Sequence, residues 1–308
     1  MNIISLLVIE PPGVWWLSFQ NSVWDRSASA YSRFENRWHH YSRVAEGLLK
    51  PLRIGPKSRV LELAGGTGAC TLLLSERCPD GQVVCVEKSE AMLELAMRNL
   101  SRRGRKNVAF VKGDVSELPT LVRGMRRFDF VVCNSAFWQF PEPERILADI
   151  RNLLKPGGLL AFNLPLWGGS DKELAARRRI LSRVMVAHGI DPKRLFRVRT
   201  RVSHVTLLQQ AGFLIGKDAR YSVRMRAEAA REWARIPAFS RRVGQLGGVP
   251  PRVAAEIKRE LKRAGIPLWP KNRRFIVKSS GDLIVKWRLI VASPRPVSKG
   301  LIFGSVNT

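Results

Sequence analysis

The stretch "RVLELAGGTGACTLLLSE", residues 59–76, decides the fold. A short apolar run, Val60 to Leu63, ends in a glycine-rich turn, and a helix-like segment follows at once. A turn of this kind brings backbone close to a ligand, because glycine lacks the Cβ that would hold it off. Outward from it, residues 59–163 alternate short β-rich runs with helical patterns. The strands are read at 59–64, 82–87, 107–114, 128–134 and 158–165, and the helices at 69–78, 89–102, 115–123 and 142–154. Runs buried on both faces and joined by amphipathic crossovers predict a parallel sheet covered by helices. Right-handed crossovers then give a doubly wound fold, with ligands at the carboxyl ends of the strands. "KPGG" (155–158) reads as a helix stop.

The turn itself fits neither common phosphate cradle. A dinucleotide turn needs G-x-G-x-x-G, and reading from Gly66 and Gly68 the third glycine position holds Thr71. A P-loop needs a lysine before the helix, and none is present. What remains is acidic: Glu62 in the first strand, Glu87 ending the second and Asp114 ending the third. Three carboxylates along one crevice edge suit a ligand with an amine, ribose hydroxyls and an adenine amino group.

On these residues the chain resembles the class I S-adenosylmethionine-dependent methyltransferases, over roughly residues 25–165. "VLELAGGTG", "VVCVEKSEAML", "FVKGDVSELP", "FDFVVCNSAFW" and "LLKPGGLLAFNLP" stand in the family's order and spacing, with Ala64 where a glycine is commonest. The resemblance implies a Rossmann-like, doubly wound, mostly parallel seven-stranded sheet, with an N-terminal helical cover and a helical insertion before the last strand. It also implies S-adenosyl-L-methionine as cofactor. Glu62, with the backbone of Ala64, Gly65, Gly66 and Gly68, would face the methionine portion. Glu87 would accept from both ribose hydroxyls, with Lys88 and Met92 beside the adenine. Asp114 would take the adenine amino group and the Val115 amide a ring nitrogen. Asn134 would sit near the sulfonium, and Tyr31, in "WDRSASAY", would close over the cofactor. Glu62 as a turn cap and Met92 as plain helix packing are the structural alternatives. At a strand end Glu87 has no evident structural partner.

The acceptor is read from the fourth motif. Asn134-Ser135-Ala136-Phe137-Trp138 lacks the [ND]-P-P-[YFW] signature of enzymes acting on base amines or glutamine, and no Pro-Cys nucleophile pair follows the strand. Phe137 and Trp138, with Phe140, offer aromatic walls for an apolar or planar small-molecule acceptor. His39 and His40, with Tyr31, are the candidate general bases, on a helix read over 28–49 with Tyr31, Phe34, Trp38, Tyr41, Ala45 and Leu48 in one seam. On that helix Glu35 and Arg43 flank His39 at four-residue spacing, which also describes a solvated face.

The net charge of +28 opens a second function class. Residues 169–308 carry 31 basic and 9 acidic side chains, a net of +22. Such a surface attracts nucleic acid, anionic membrane or acidic substrates. Equally, 38 of the 53 basic residues are arginine, as a GC-rich genome would give without any polyanion partner. The alternative to a small-molecule enzyme is therefore a nucleic-acid (RNA) methyltransferase; a non-catalytic scaffold is a third class, which the intact motifs oppose.

The organisation expected is a cover at 1–50, a cofactor-binding core at 51–168, and a C-terminal completion at 169–308. The last holds helices at 171–188 and 197–211, a strand to 223, a basic insertion at about 227–272 and a strand at 282–293. Four cysteines without C-x-x-C and four histidines without H-x-x-x-H give no metal site and fit a reduced, cytoplasmic setting. The apolar start, residues 3–9, is too short to span a bilayer and lacks signal-peptide flanks. It reads as a packing strand or a peripheral membrane contact.

Overall fold

A computed structural model describes residues 14–140, 142–166, 171–191, 203–240, 250–266 and 282–296. The expected N-terminal packing strand and residues 197–202 of an expected helix lie outside them. Seven strands form one sheet: β1 Arg59–Leu63, β2 Gln82–Glu87, β3 Val108–Lys112, β4 Phe128–Cys133, β5 Leu154–Pro165, β6 Phe213–Met225 and β7 Leu283–Pro294. Their order is β3-β2-β1-β4-β5-β7-β6. The first five run parallel, and β7 lies antiparallel between β5 and β6. The chain winds outward from β1 to β3, then returns to place β4 on the other side of β1. That reversal opens a crevice at the carboxyl ends of β1 and β4.

The central strands are almost wholly buried, and alternate residues feed two cores. Leu61, Leu63, Val84 and Val86 join one with Ile146, Leu147 and Ile150. Val60, Val83 and Val132 join the other with Leu48, Leu49 and Leu74. The first face is covered by α5 Leu118–Leu121 and α6 Pro143–Leu153, the second by α2 His40–Leu49 and α3 Ala69–Arg77. The expected doubly wound sheet with helices on both faces is therefore what the sequence folds into. Two boundaries differ. β5 starts at Leu154, so "KPGG" continues the chain into the sheet past an irregular register between Phe128 and Phe130. The helix expected at 115–123 is a 3-10 turn, Val115–Glu117, followed by the single turn of α5.

The helix expected at 28–49 is two helices. α1 runs Val14–Trp38 and α2 starts at His40, because His39 takes a left-handed conformation with φ 50°. Glu35, buried, stabilises this break. Its Oε2 accepts from the Tyr41 amide (2.8 Å), and its Oε1 accepts from the Ser42 amide (2.8 Å) and hydroxyl (2.6 Å). The carboxylate thus satisfies donors that the first turn of α2 leaves open. Glu35 faces α2 and not His39, which is exposed, so the solvated i, i+4 pair read from the sequence is replaced by a cap.

Between β5 and β6 come α7 Asp171–Ala187 and α8 His204–Gln210; between β6 and β7 come α9 Ala227–Trp233, α10 Pro237–Ser240 and α11 Pro251–Arg263. The insertion before the last strand is therefore present, and it splits in two. α9 and α10 pack on α1: the Ala238 amide donates to Ser27 Oγ (2.9 Å), and Trp38 Nε1 donates to Glu232 Oε2 (2.7 Å). α11 packs on α7 through a separate small core. No described helix is long and apolar enough to cross a membrane.

Candidate functional site

The turn after β1 is shaped by what its residues lack. Gly66 and Gly68 take φ values of 58° and 89°, the left-handed region that an L side chain resists. A Cβ on Gly68 would stand 2.7 Å from Leu100 Cδ1, so only glycine lets α4, Glu90–Ser101, pack beneath the turn. A Cβ on Gly65 would meet Cys85 Sγ at 2.3 Å and reach within 3.5 Å of Glu62 Oε2. Ala64 is the exception, with φ 55° and a side chain. This explains the commoner glycine there, and it gives two neighbouring substitutions opposite signs. Ala64→Gly should stabilise the protein by roughly 1 kcal/mol in urea unfolding, by removing left-handed strain. Gly65→Ala should destabilise it and weaken ligand binding, because Cys85 is held in the sheet. Equal effects of the two would overturn this account of the turn.

Beside the turn lies an unsatisfied acid. Glu62 is fully buried and its Oε2 has no hydrogen-bond partner, an orphan of the kind that native interiors seldom keep. Burial pushes its carboxyl up to about 7, against weaker lowering by Thr71 and Cys70. A cationic amine set against Oε2 would satisfy it.

Glu87 ends β2 and does have structural partners, contrary to the sequence expectation. Its Oε2 accepts from the Gly66 amide and its Oε1 from the Ser89 amide, both at 2.8 Å. Burial raises its carboxyl and these bonds lower it, with a net rise. A carboxylate offers about four acceptor positions. The Gly66 and Ser89 amides take two of them. Asp114 is more committed: Oδ1 accepts from the Ser116 amide and hydroxyl (both 2.9 Å), and Oδ2 pairs with Lys88 Nζ (2.7 Å). Burial raises its carboxyl, but Lys88 and Ser116 outweigh that and hold it low. One acceptor position is left open. Met92 and Val115 are buried beside these acids, and the Met92 amide donates to Ser89 Oγ (3.2 Å) at the start of α4.

α1 closes this edge. Asp25 Oδ1 accepts from Ser89 Oγ at 2.5 Å, which ties α1 to the α4 N-terminus. One helical stretch on, Tyr31 stacks on Tyr41 with centroids 4.9 Å apart. Burial, Tyr41, Glu35 and Glu87 all raise its hydroxyl, so it stays protonated. Phe239 of α10 tilts against Tyr31 (6.2 Å) and lies edge-on to Trp24 (5.8 Å). Trp233 of α9 stacks on Phe239 (4.3 Å) and donates from Nε1 to the Tyr41 hydroxyl (3.0 Å). These rings from the insertion were not among the sequence candidates.

At the end of β4, Asn134 and Ser135 are held from β5. Asn163, fully buried, accepts at Oδ1 from the Ser135 amide (2.6 Å) and donates from Nδ2 to Asn134 Oδ1 (2.8 Å) and Tyr221 Oη (2.7 Å). The Tyr221 hydroxyl donates in turn to the Val44 carbonyl (2.7 Å). Ser135, with φ 63°, depends on this support. Phe137, expected as a pocket wall, is instead a core residue stacked on Phe162 at 4.2 Å. Trp138 is 43% exposed, and its Nε1 donates to the Ser135 carbonyl (3.2 Å). His40 is buried against Phe34 and Tyr41, with no partner for Nδ1; burial and Arg43 push it down to about 3. It is neutral at physiological pH and a weak base.

Residues 54–198 match a family model described as a methyltransferase domain. The chain is 34% identical to a malonyl-[acyl-carrier protein] O-methyltransferase of Geobacter sulfurreducens, over 62% of this chain and 66% of that protein. It is 38% identical to a demethylmenaquinone methyltransferase of Thermus thermophilus, over 35% of this chain and 47% of that protein. The chain thus spans less than two thirds of either relative. Among solved structures, the YcgJ protein of Bacillus subtilis shares the fold, with a TM-score of 0.52 at 16% identity over 83% of this chain and 99% of that one.

Proposed function

We propose that the chain is a class I S-adenosylmethionine-dependent methyltransferase, as its match to a methyltransferase-domain model over residues 54–198 supports, and that it transfers a methyl group from S-adenosyl-L-methionine to a small-molecule acceptor with an apolar or planar body. The observation that carries the reading is the orphaned Glu62 Oε2 beside a turn in which a Cβ at Gly65 or Gly68 would clash. In this reading Glu62 holds the cofactor's amine, Glu87 uses its two remaining acceptor positions on the ribose, and Asp114 takes the adenine amino group. When bound, the cofactor supplies an already activated methyl, so alignment and exclusion of water are the protein's main tasks. Asn163 fixes the Asn134–Ser135 turn, and the Trp24, Tyr31, Tyr41, Trp233 and Phe239 rings cover the mouth. The buried, neutral His40 suits an acceptor that is nucleophilic at neutral pH without a strong base.

The two relatives named above act, by their names, on a carrier-bound malonyl group and a quinone, which favours the small-molecule class over the RNA alternative. The test is calorimetry with S-adenosylhomocysteine and with NAD, followed by labelled methyl transfer to panels of organic acids, phenols and quinones, and to structured RNA and duplex DNA across a salt series. We expect S-adenosylhomocysteine binding, no NAD binding, and nucleic-acid binding that fades steeply with salt and carries no label. Tight NAD binding without a response to S-adenosylhomocysteine would overturn the cofactor reading. Sub-micromolar RNA binding at physiological salt with methyl incorporation would establish the alternative.

A further inference from the structure

α11 sorts its charges by sign. Val253, Ile257 and Leu261 are buried and pack against Leu181, Val184 and Met185 of α7. Both acids of α11 flank that seam and are spent within the helix pair. Glu256 Oε2 pairs with His188 Nε2 (2.7 Å); Glu260 pairs with Arg183 Nη2 (2.7 Å) and with Arg263 Nη1 (2.8 Å). At about 100° per residue, Arg252, Ala255, Arg259 and Lys262 all project within roughly 40° of the direction opposite the seam. All four are exposed, and none of the three cations forms an ion pair among the described residues. Lys258, also exposed, borders the stripe. The result is an outward row of three unpaired cations about 15 Å long, of which Arg259 feels the charge of Glu256, on a helix pair with a core of its own.

We propose that this row docks the protein on an anionic lipid surface. The stripe holds charge and one alanine, with no aromatic ring to stack a base and no amide to read one, whereas an anionic bilayer asks only for cation density. The choice of lipid over nucleic acid rests further on the proposed apolar acceptor, a class of molecule that partitions into bilayers. The orientation supports it too, since the acids that would repel lipid headgroups are turned toward α7.

The experiment is co-sedimentation of the full chain with phosphatidylcholine vesicles containing increasing phosphatidylglycerol, at physiological ionic strength. Two charge-matched triple variants are compared: Arg252→Gln, Arg259→Gln and Lys262→Gln on the stripe, and Arg102→Gln, Arg103→Gln and Lys106→Gln on the exposed far edge of the sheet. All six positions are exposed, so both proteins should fold. At roughly fivefold per cation, the stripe variant should lose about a hundredfold in vesicle partitioning, and the control less than about threefold. Equal losses would mean that only net charge matters, and would overturn the proposal. So would wild-type protein that ignores phosphatidylglycerol, or a stripe variant that loses RNA binding while keeping vesicle binding. S-adenosylhomocysteine calorimetry on the same three proteins keeps this separate from the catalytic reading: cofactor binding should be unchanged in all of them, and its absence in wild type would sink that reading alone.

Discussion

Glu87→Ala should lower S-adenosylmethionine affinity by at least about a hundredfold and should also destabilise the fold. The affinity loss follows from the two charge-assisted hydrogen bonds proposed between Glu87 and the ribose, each worth roughly 1.5–3 kcal/mol. The stability loss follows from the Gly66 and Ser89 amides, which both donate to this carboxylate at 2.8 Å. Removing a shared acceptor leaves buried donors unsatisfied at roughly 1–3 kcal/mol apiece, less whatever water recovers. Calorimetry and urea unfolding read the two effects separately. Glu87→Gln is the sharper companion, because its amide oxygen can serve one of the two donors while its NH2 opposes the other. It should therefore sit between wild type and Glu87→Ala in stability. Affinity within about threefold of wild type in both variants would remove Glu87 from the site.

The structural half of this, Glu87 holding the Gly66 and Ser89 amides, was not legible in the sequence. A carboxylate at a strand end shows its chemistry but not its partners: Gly66 lies 21 residues away, on another strand's turn. The same distance hid Asn163, whose partners Asn134 and Tyr221 are 29 and 58 residues off, and Asp25, 64 residues from Ser89. What could be read was local or periodic. β1 to β4 were found to within two residues, because their apolar runs are bounded by turn residues and, in β1, β2 and β4, are buried almost throughout; β3, at the sheet edge, is only half-buried. Periodicity also misled. The seam from Tyr31 to Leu48 keeps its 3,4 spacing straight through His39, so the sequence gives no hint that the helix breaks there. The break depends on Glu35 reaching forward to cap Tyr41 and Ser42. Likewise Phe137 and Trp138 are adjacent aromatics in a 3-10 turn, where neither period 2 nor period 3.6 says which one turns inward.

The second large effect is the pH dependence of the apo protein. Glu62 is fully buried with an orphan oxygen, and its carboxyl titrates at about 7, against an ordinary value of 4.5. Between those values the folded chain holds a proton that the unfolded chain has released. The protonated acid's stabilising contribution is thus complete below about pH 4.5 and is lost as pH rises toward 7, by roughly 3 kcal/mol if Glu62 acts alone. Glu62→Gln keeps the shape and removes the titration, so its stability curve should be flatter from pH 5 to 8 and should lie above wild type at the alkaline end. Cofactor binding reverses the sign. An ammonium group beside Oε2 favours the ionised carboxylate, so S-adenosylmethionine should bind wild type more tightly as pH rises through 7 and should release protons on binding at about pH 6.5. Calorimetry in two buffers of different ionisation enthalpy counts those protons. In Glu62→Gln the proton release should vanish and the affinity should fall at every pH. A variant that is more stable at pH 8 but binds the cofactor as wild type does would leave Glu62 as a strained turn residue. A variant that is less stable at pH 8 would show that the buried carboxylate is satisfied in solution, and that the orphan oxygen is not what draws the amine.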